Sequence, residues 1–383
     1  MRRTKAWLAA CVLCALLTAT SGQPRAQDAL QLGEERVEAG GYPAVSYFTK
    51  GDPDKPLIVF IPGAHHMARI AYGGHEGARD TDFLAHWLAE EGYSFLGLSY
   101  PIGVEGVFDR AYPDFDVQAW GQQVAELTKR AVDANGLSNH VVFLHWSMGG
   151  KVVQAAYEDA TEAGLDVLTA VSFAATPGLP GLTGKVDIAM DPSGYADRSD
   201  LYPGWIRQLA DNDADNGGHV AIPEEVYRRS YLGPISVQTQ GYGQVYRDGR
   251  FEIDEAAQSR DYNPFAYDAF PLVVVMANSE VADSRHALLD RAYWTFYNAH
   301  TVTNRYLAGN GIKPGDLPAE KWRALTELVA SADERLTVPV GGNHFFFVGE
   351  QGARTAAYAV ERAITAAERF KQDVSDAIGV AVE

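Results

Sequence analysis

Short continuous apolar runs alternate along this chain with stretches whose apolar positions recur every three or four residues. Leu57 to Ile61, Tyr93 to Leu98, His140 to Leu144, Val167 to Ala174, Leu272 to Met276 and Leu336 to Val340 are the runs, and each reads as a strand buried on both faces. Thr81 to Glu91, Val117 to Ala134 and Met148 to Ala163 carry helical spacing, the first with Asp80 or Thr81 as N-cap and Gly92 as stop. Arg36 to Gly51 reads as two short strands around Gly40-Gly41. Repeated β-α-β alternation predicts an α/β fold, a mostly parallel, doubly wound sheet with helices on both faces.

Between Thr176 and Asp268 that rhythm gives way to Gly, Pro, Asp and Tyr, with Trp205, Phe251 and Phe265 among them. Structureless loops of this length are uncommon, so 177–267 is read as an inserted cap or lid, and 27–176 with 268–383 as the core. Within the insertion, Asp211-Asn212-Asp213-Ala214-Asp215-Asn216-Gly217-Gly218 alternates acids as a calcium loop does. Asn216 stands where such a loop needs glycine and Ile222 where it needs a bidentate glutamate, so 211–218 is expected to be a solvated acidic loop.

Charge and composition narrow the function classes. Of 383 residues, 50 are Asp or Glu against 32 Lys or Arg, a formal charge of −18, so nucleic-acid phosphates would be repelled. Arg2, Arg3 and Lys5 precede an apolar run, Ala6 to Ala19, which is too short to span a bilayer but suits a secretory signal over 1–22, with cleavage somewhere in 21–26. Leu8-Ala9-Ala10-Cys11 has the shape of a lipid-attachment site, but the apolar run continues past Cys11, which argues against an anchor there. Cys11 and Cys14 are the only cysteines, so beyond them the chain has neither a disulfide framework nor a thiolate zinc site. A secreted or periplasmic protein without a membrane span is expected.

The chemistry centres on His145-Trp146-Ser147-Met148-Gly149-Gly150, where a strand runs straight into a helix. A sharp turn there lifts the serine hydroxyl to the carboxyl edge of the sheet and aims the following N–H at a developing oxyanion. Acyl transfer from serine needs a histidine base and a carboxylate that fixes its tautomer, both after later strands. His344 follows the last strand through Gly341-Gly342-Asn343. The acid is read as Glu280, beyond the strand that ends near Met276, with Asp283 the alternative if that strand runs longer. The oxyanion donors are read as the N–H groups of Met148 and of Ala64, in the Pro62-Gly63-Ala64 loop. His65, His145 and Trp146 flank these loops and are the candidates for substrate contact. His65, His66 and His75 lack clean metal-ligand spacing, and no metal or cofactor is expected.

This motif set resembles the α/β-hydrolase superfamily, over about Arg36 to Phe370. The resemblance implies Ser147 as nucleophile, Glu280 as acid, His344 as base, and a lid inserted after the strand ending near Thr176. His145 departs from the family's glycine, Pro62 stands in its histidine place, and glutamate replaces the commoner aspartate. The long stretch between Glu280 and His344 leaves room for helices over Arg285 to Leu307 and Ala319 to Ala332, expected to serve the cap or a partner surface. The expected function is an exported serine hydrolase of carboxylic esters, acting on a small-molecule ester. The alternatives are a lipase, thioesterase, acyltransferase or peptidase of the same fold, or a binding protein that keeps the scaffold without catalysis.

Overall fold

The computed structural model describes residues 29–182, 184 and 186–382; the expected signal segment, its cleavage region, Cys11 and Cys14 lie outside them. Glu34–Ala39 (β1) and Tyr42–Thr49 (β2) form an antiparallel hairpin that turns through Gly40 and Gly41, both at positive φ. Leu57–Ile61 (β3), Phe95–Ser99 (β4), His140–Trp146 (β5) and Asp166–Phe173 (β6) follow. A separate hairpin, Gln244–Arg247 (β7) with Arg250–Ile253 (β8), precedes Val273–Ala277 (β9) and Thr337–Pro339 (β10). The main sheet has eight strands in the order β1-β2-β4-β3-β5-β6-β9-β10, parallel from β4 onward.

The strands that read as continuous apolar runs are those covered on both faces. Along β3, Ile58 and Phe60 point into one core and Leu57, Val59 and Ile61 into the other, the two-residue alternation of a pleated strand. The helices are Arg69–Tyr72 (α1), Leu84–Glu90 (α2), Val117–Asn135 (α3), Val153–Glu162 (α4), Tyr202–Asp215 (α5), Glu224–Ser230 (α6), Glu255–Tyr262 (α7), Ser284–His300 (α8), Ala319–Ala330 (α9), Ala332–Arg335 (α10) and Glu350–Ile378 (α11). Leu84 and Leu88 of α2 and Val360 and Phe370 of α11 fill the first core, while Val124 of α3 and Ala156 of α4 fill the second. Among the described residues no helix is long and apolar enough to cross a membrane.

Local chemistry decides where these helices begin. Asp116 accepts from Ala119 N–H at 2.8 Å, capping α3 as its side chain type favours. A second carboxylate arrives from α7, where Asp261 accepts from the Val117 and Gln118 N–H groups at 3.0 Å each. Neither Asp80 nor Thr81 caps α2: a 3₁₀ turn over Asp80–Asp82 comes first and the helix starts after Phe83. Helices α8 and α9 serve the core rather than a cap. Trp294 and Tyr297 of α8 pack on Val273 and Val275 of β9, and Leu325 of α9 joins the core under α11.

Segment 177–267 adds no strand to the main sheet and is more ordered than its composition predicts, with α5, α6, α7 and the β7–β8 hairpin. Its tyrosines are mostly packing residues, Tyr195, Tyr227 and Tyr231 being fully buried. One tie between it and the core runs from a buried ion pair. Arg69 grips Glu34 with Nε and Nη2, each 2.6 Å from a carboxylate oxygen, and donates through Nη1 to the Ser230 carbonyl at 2.7 Å. Both side chains are excluded from water. Removing one partner strands a buried charge, so Arg69→Met should lower the unfolding free energy by about 3–5 kcal/mol, whereas Arg69→Met with Glu34→Met should recover much of it. Urea titration checks this, and a single-variant loss below about 1 kcal/mol would mean that the pair is not desolvated.

Candidate active site

Strand β5 ends at Trp146 and a 3₁₀ turn, Ser147–Val152, leads directly into α4. Ser147 has φ +53°, a left-handed conformation that costs a non-glycine residue of order 1–3 kcal/mol and persists only where the surroundings enforce it. The surroundings are backbone at very close range. A Cβ at Gly149 would stand 2.9 Å from the Ile61 carbonyl oxygen, and one at Gly150 2.5 Å from that of Thr176. One at Gly63 would stand 2.7 Å from Ser147 Cβ, and the Tyr100 hydroxyl fixes that glycine by donating to its carbonyl at 2.6 Å. The Pro62-Gly63-Ala64 loop and the Ser147 turn are therefore packed glycine to serine, which only a residue without a side chain permits. Ala64 and Met148 both line the cavity onto which Ser147 opens, a space of about 320 Å³.

His344 lies on the same cavity. Its Nδ1–H donates to Asp283 Oδ2 at 3.1 Å, which leaves Nε2 as the ring's basic nitrogen. Burial pushes the Asp283 carboxyl up, but the charge and hydrogen bond of His344 outweigh it, and the net shift is down. The geometry thus brings the alternative acid, Asp283, to His344 in place of Glu280. Strand β9 stops at Ala277, and the 3₁₀ turn Val281–Asp283, closed by Asp283 N–H to the Glu280 carbonyl at 3.0 Å, carries the chain back over the sheet edge. Glu280 is left exposed on the outside of that turn while Asp283 faces the histidine.

The loop that carries His344 is bolted from two sides. Trp146 Nε1–H donates to the His344 carbonyl at 3.0 Å, and the indole lies 5.2 Å from the imidazole. From α5, Gln208 Oε1 accepts from His344 N–H at 3.1 Å, the Gln208 carbonyl accepts from Asn343 Nδ2 at 2.8 Å, and Asn212 Nδ2 donates to the Phe345 carbonyl at 2.7 Å. This corrects the reading of 211–218 as an acidic loop. Asp211 to Asp215 are the last turns of α5, Asp213 accepts from Ala221 N–H at 3.0 Å, and the alternating acids point to different sides of a helix instead of toward one ion.

None of the three candidates for substrate contact lines the cavity. Trp146 is buried beneath the histidine. His145 lies within the sheet with Nδ1–H donating to Gly149 O at 2.8 Å, bracing the turn from behind. His65, at φ +63°, donates through Nδ1 to Gly233 O at 2.9 Å and accepts at Nε2 from Gln240 at 2.8 Å. His66 donates to Ala64 O at 2.7 Å and accepts from the Tyr227 hydroxyl at 2.5 Å. These histidines hold the oxyanion loop against the 177–267 segment. The groups that do line the cavity and were missed in the sequence are Lys151, Arg285 and His286, with Asp290 behind the last: His286 Nδ1–H donates to Asp290 Oδ2 at 3.0 Å, and its ring lies 5.0 Å from that of His344. The four-residue spacing from His286 to Asp290, one turn of α8, is the signal that was available. Ligand-type atoms of Asp283, His286 and His344 lie within 4.8 Å of one another, the one such grouping among the described residues, but Asp283 and His344 already satisfy each other.

No family model and no curated protein matches the chain. Among solved structures it is similar to a thermophilic esterase from Thermogutta terrifontis, at 12% identity over 89% of this chain and 99% of that one, with a TM-score of 0.43. It is also similar to wild-type Cfl2 from Burkholderia cenocepacia, at 14% identity over 86% and 94% with TM-score 0.44, and to the epoxide hydrolase CorEH, at 14% identity over 87% and 97% with TM-score 0.42.

Burial pulls His65 down to about 4, and His66 and His145 to about 3, so all three stay neutral in the folded protein well below the pH at which an unfolded histidine takes up its proton. With folded values below the ordinary 6.5, the unfolded chain binds more protons as pH falls. The histidines' own share of the stability should be level above about pH 7 and decline below about 6, each ring withdrawing up to about 1.4 kcal/mol per pH unit until its folded value is reached. Ring-proton shifts of the three histidines followed by NMR from pH 8 to 4.5 measure this, and midpoints near the ordinary value of about 6.5 would show that the rings are solvated.

Proposed function

We propose that this α/β-hydrolase-fold protein is an exported serine hydrolase that cleaves small carboxylic esters through an acyl-enzyme on Ser147. The observation that carries the reading is one cavity that receives both a serine held at φ +53° and a histidine whose Nδ1–H is taken up by a buried carboxylate. In the proposed reaction His344 Nε2 accepts the hydroxyl proton as Ser147 Oγ bonds to the substrate carbonyl carbon. The N–H groups of Ala64 and Met148 hold the resulting oxyanion, and the start of the helix behind Ser147 adds its positive dipole end. The bond to the leaving alkoxide then breaks as His344 returns the proton to it, and water repeats the sequence to free the acid. Asp283 holds the ring tautomer and balances the imidazolium. No cofactor is called on.

A cavity of about 320 Å³ sits at the lower end of small-molecule sites, roughly 300–1,000 Å³, which favours a short acyl chain over a lipase substrate. Trp205, Gln208, Gln240 and Tyr242 form part of its wall, supporting the reading of 177–267 as a cap that shapes the site. Export rests on the segment over 1–22, and a secreted or periplasmic location is proposed on that ground alone.

A fluorophosphonate probe should label Ser147 of the native protein stoichiometrically, and Ser147→Ala should abolish labelling and lower kcat roughly 10⁴-fold or more on p-nitrophenyl acetate. Asp283→Asn should cost roughly 10⁴-fold, while Glu280→Gln should leave turnover close to native. Equal losses from the two acid substitutions, or labelling at another serine, would overturn the assignment. Across a series of p-nitrophenyl esters, kcat/KM should be highest for short acyl chains; a maximum at long chains would favour the lipase reading.

A further inference from the structure

The cavity's charge is opposite in sign to that of the protein. At −18 the whole chain repels anions, yet the ionisable side chains lining this space are Lys151, Arg285, His286, His344 and a single carboxylate, Asp283, which is already bonded to His344. His286 has its own buried partner in Asp290. Lys151 and Arg285 have no such partner. Among the described residues neither forms an ion pair, although the acidic side chains outnumber the basic ones.

Lys151 is the more telling of the two. It is only 6% exposed, its ammonium donates to the Gln240 carbonyl, and the Tyr242 ring lies 5.9 Å away. An ammonium has three donors, and a buried one without an anion is expensive, several kcal/mol beyond what a single carbonyl returns. An apolar side chain would pack at this position without that cost. The cost shows as a pull on its proton: burial, with the charge of Arg285 as second cause, brings Lys151 down to about 7. Arg285 approaches from a different part of the fold, at the start of α8, with Nη2–H donating to Thr176 Oγ1 at 3.2 Å. Thr176 is the residue whose carbonyl abuts Gly150 in the serine turn. The loops after β5, β6 and β9 thus converge so that two cations from distant stretches of sequence face one small space beside Ser147.

We propose that Lys151 and Arg285 are specificity residues that bind a carboxylate carried by the substrate, so that the preferred ester is a compact half-ester of a dicarboxylic acid. This deepens the serine-hydrolase reading and rests on it. A bound carboxylate supplies the buried ammonium with its missing counter-charge, an interaction strengthened by exclusion of water, and takes a bidentate or single bond from the more exposed guanidinium. A neutral ester of equal length leaves the buried Lys151 unpaired in the occupied site, which is the larger source of discrimination.

Two substrates of matched acyl length, p-nitrophenyl hemiglutarate and p-nitrophenyl valerate, test the proposal. The native protein is expected to favour the hemiglutarate in kcat/KM, with a KM for it that climbs with added salt while the KM for the valerate does not. In Arg285→Gln and Lys151→Met the ratio of the two kcat/KM values should fall by about tenfold or more, chiefly through the KM of the hemiglutarate. Glutarate should protect Ser147 of the native protein from fluorophosphonate, and do so more weakly in each variant. A ratio that is the same in native protein and variants, with Ser147 still labelled, would overturn the proposal and leave Lys151 as a tether for Gln240. If Lys151→Met does not fold, Arg285→Gln, at an exposed position, and the salt series on native protein decide the matter. Absence of labelling in the native protein would instead count against the hydrolase reading itself.

Discussion

Backbone strain at Ser147 is the condition on which the site depends. A positive φ at a residue with a side chain would relax if the chain around it had room to move, and it has none. Gly149 and Gly150 bring the turn against the carbonyls of Ile61 and Thr176, Gly63 brings the oxyanion loop against the serine itself, and His145 ties the strand to the turn by a bond to Gly149. Three neighbouring strands therefore contribute close-packed backbone, with one side-chain tie from His145, to holding one residue in an unfavourable conformation. The sheet supplies the stiffness, since β3, β5 and β6 are parallel neighbours whose register runs unbroken from Val142 to the end of β5 that leads into Ser147.

The histidine half of the site is held by different means. Its loop follows a strand of only three residues, too short to position a side chain alone, and the missing rigidity comes from Trp146 below and from α5 above. Segment 177–267 thereby does more than cover an opening: Gln208 and Asn212 fasten the loop of His344, and Gln240 and Tyr227 fasten His65 and His66. Losing α5 would loosen His344 even if the sheet survived.

Much of this was legible in the sequence because it depends on spacing within one element. The strands under Ser147 and His344, the hairpin at Gly40-Gly41 and the eight-strand core follow from short apolar runs and glycine pairs, and the structure has them within a few residues. What could not be read depends on the conformation of a turn or on partners far apart. Glu280 and Asp283 differ only in which side of a three-residue 3₁₀ turn they occupy, and no periodicity reports that. Asp211 to Asp215 end a helix whose buried members are Leu209 and Asn212, so the acids beside them look like a loop to any count of hydrophobic residues. His145 breaks the expected glycine pattern, yet its ring finds room within the sheet because its neighbours across the strands are Ile61 and Ser172. Lys151 and Arg285 meet only because β5 and β9 are brought to the same edge.

The buried Arg69–Glu34 pair shapes how this protein can drift. Changing either residue alone leaves a buried charge with no counter-charge, whereas a matched apolar pair would pack at much smaller cost. Tyr72 and the Ser230 carbonyl share the same cluster, so the acceptable alternatives require coordinated changes at positions 35 and more residues apart. Between the ionic arrangement and an apolar one lies a valley that single substitutions must cross at reduced stability. Descendants of this chain are thus expected to carry both charges or neither, and the identity of residue 34 can be foretold from that of residue 69.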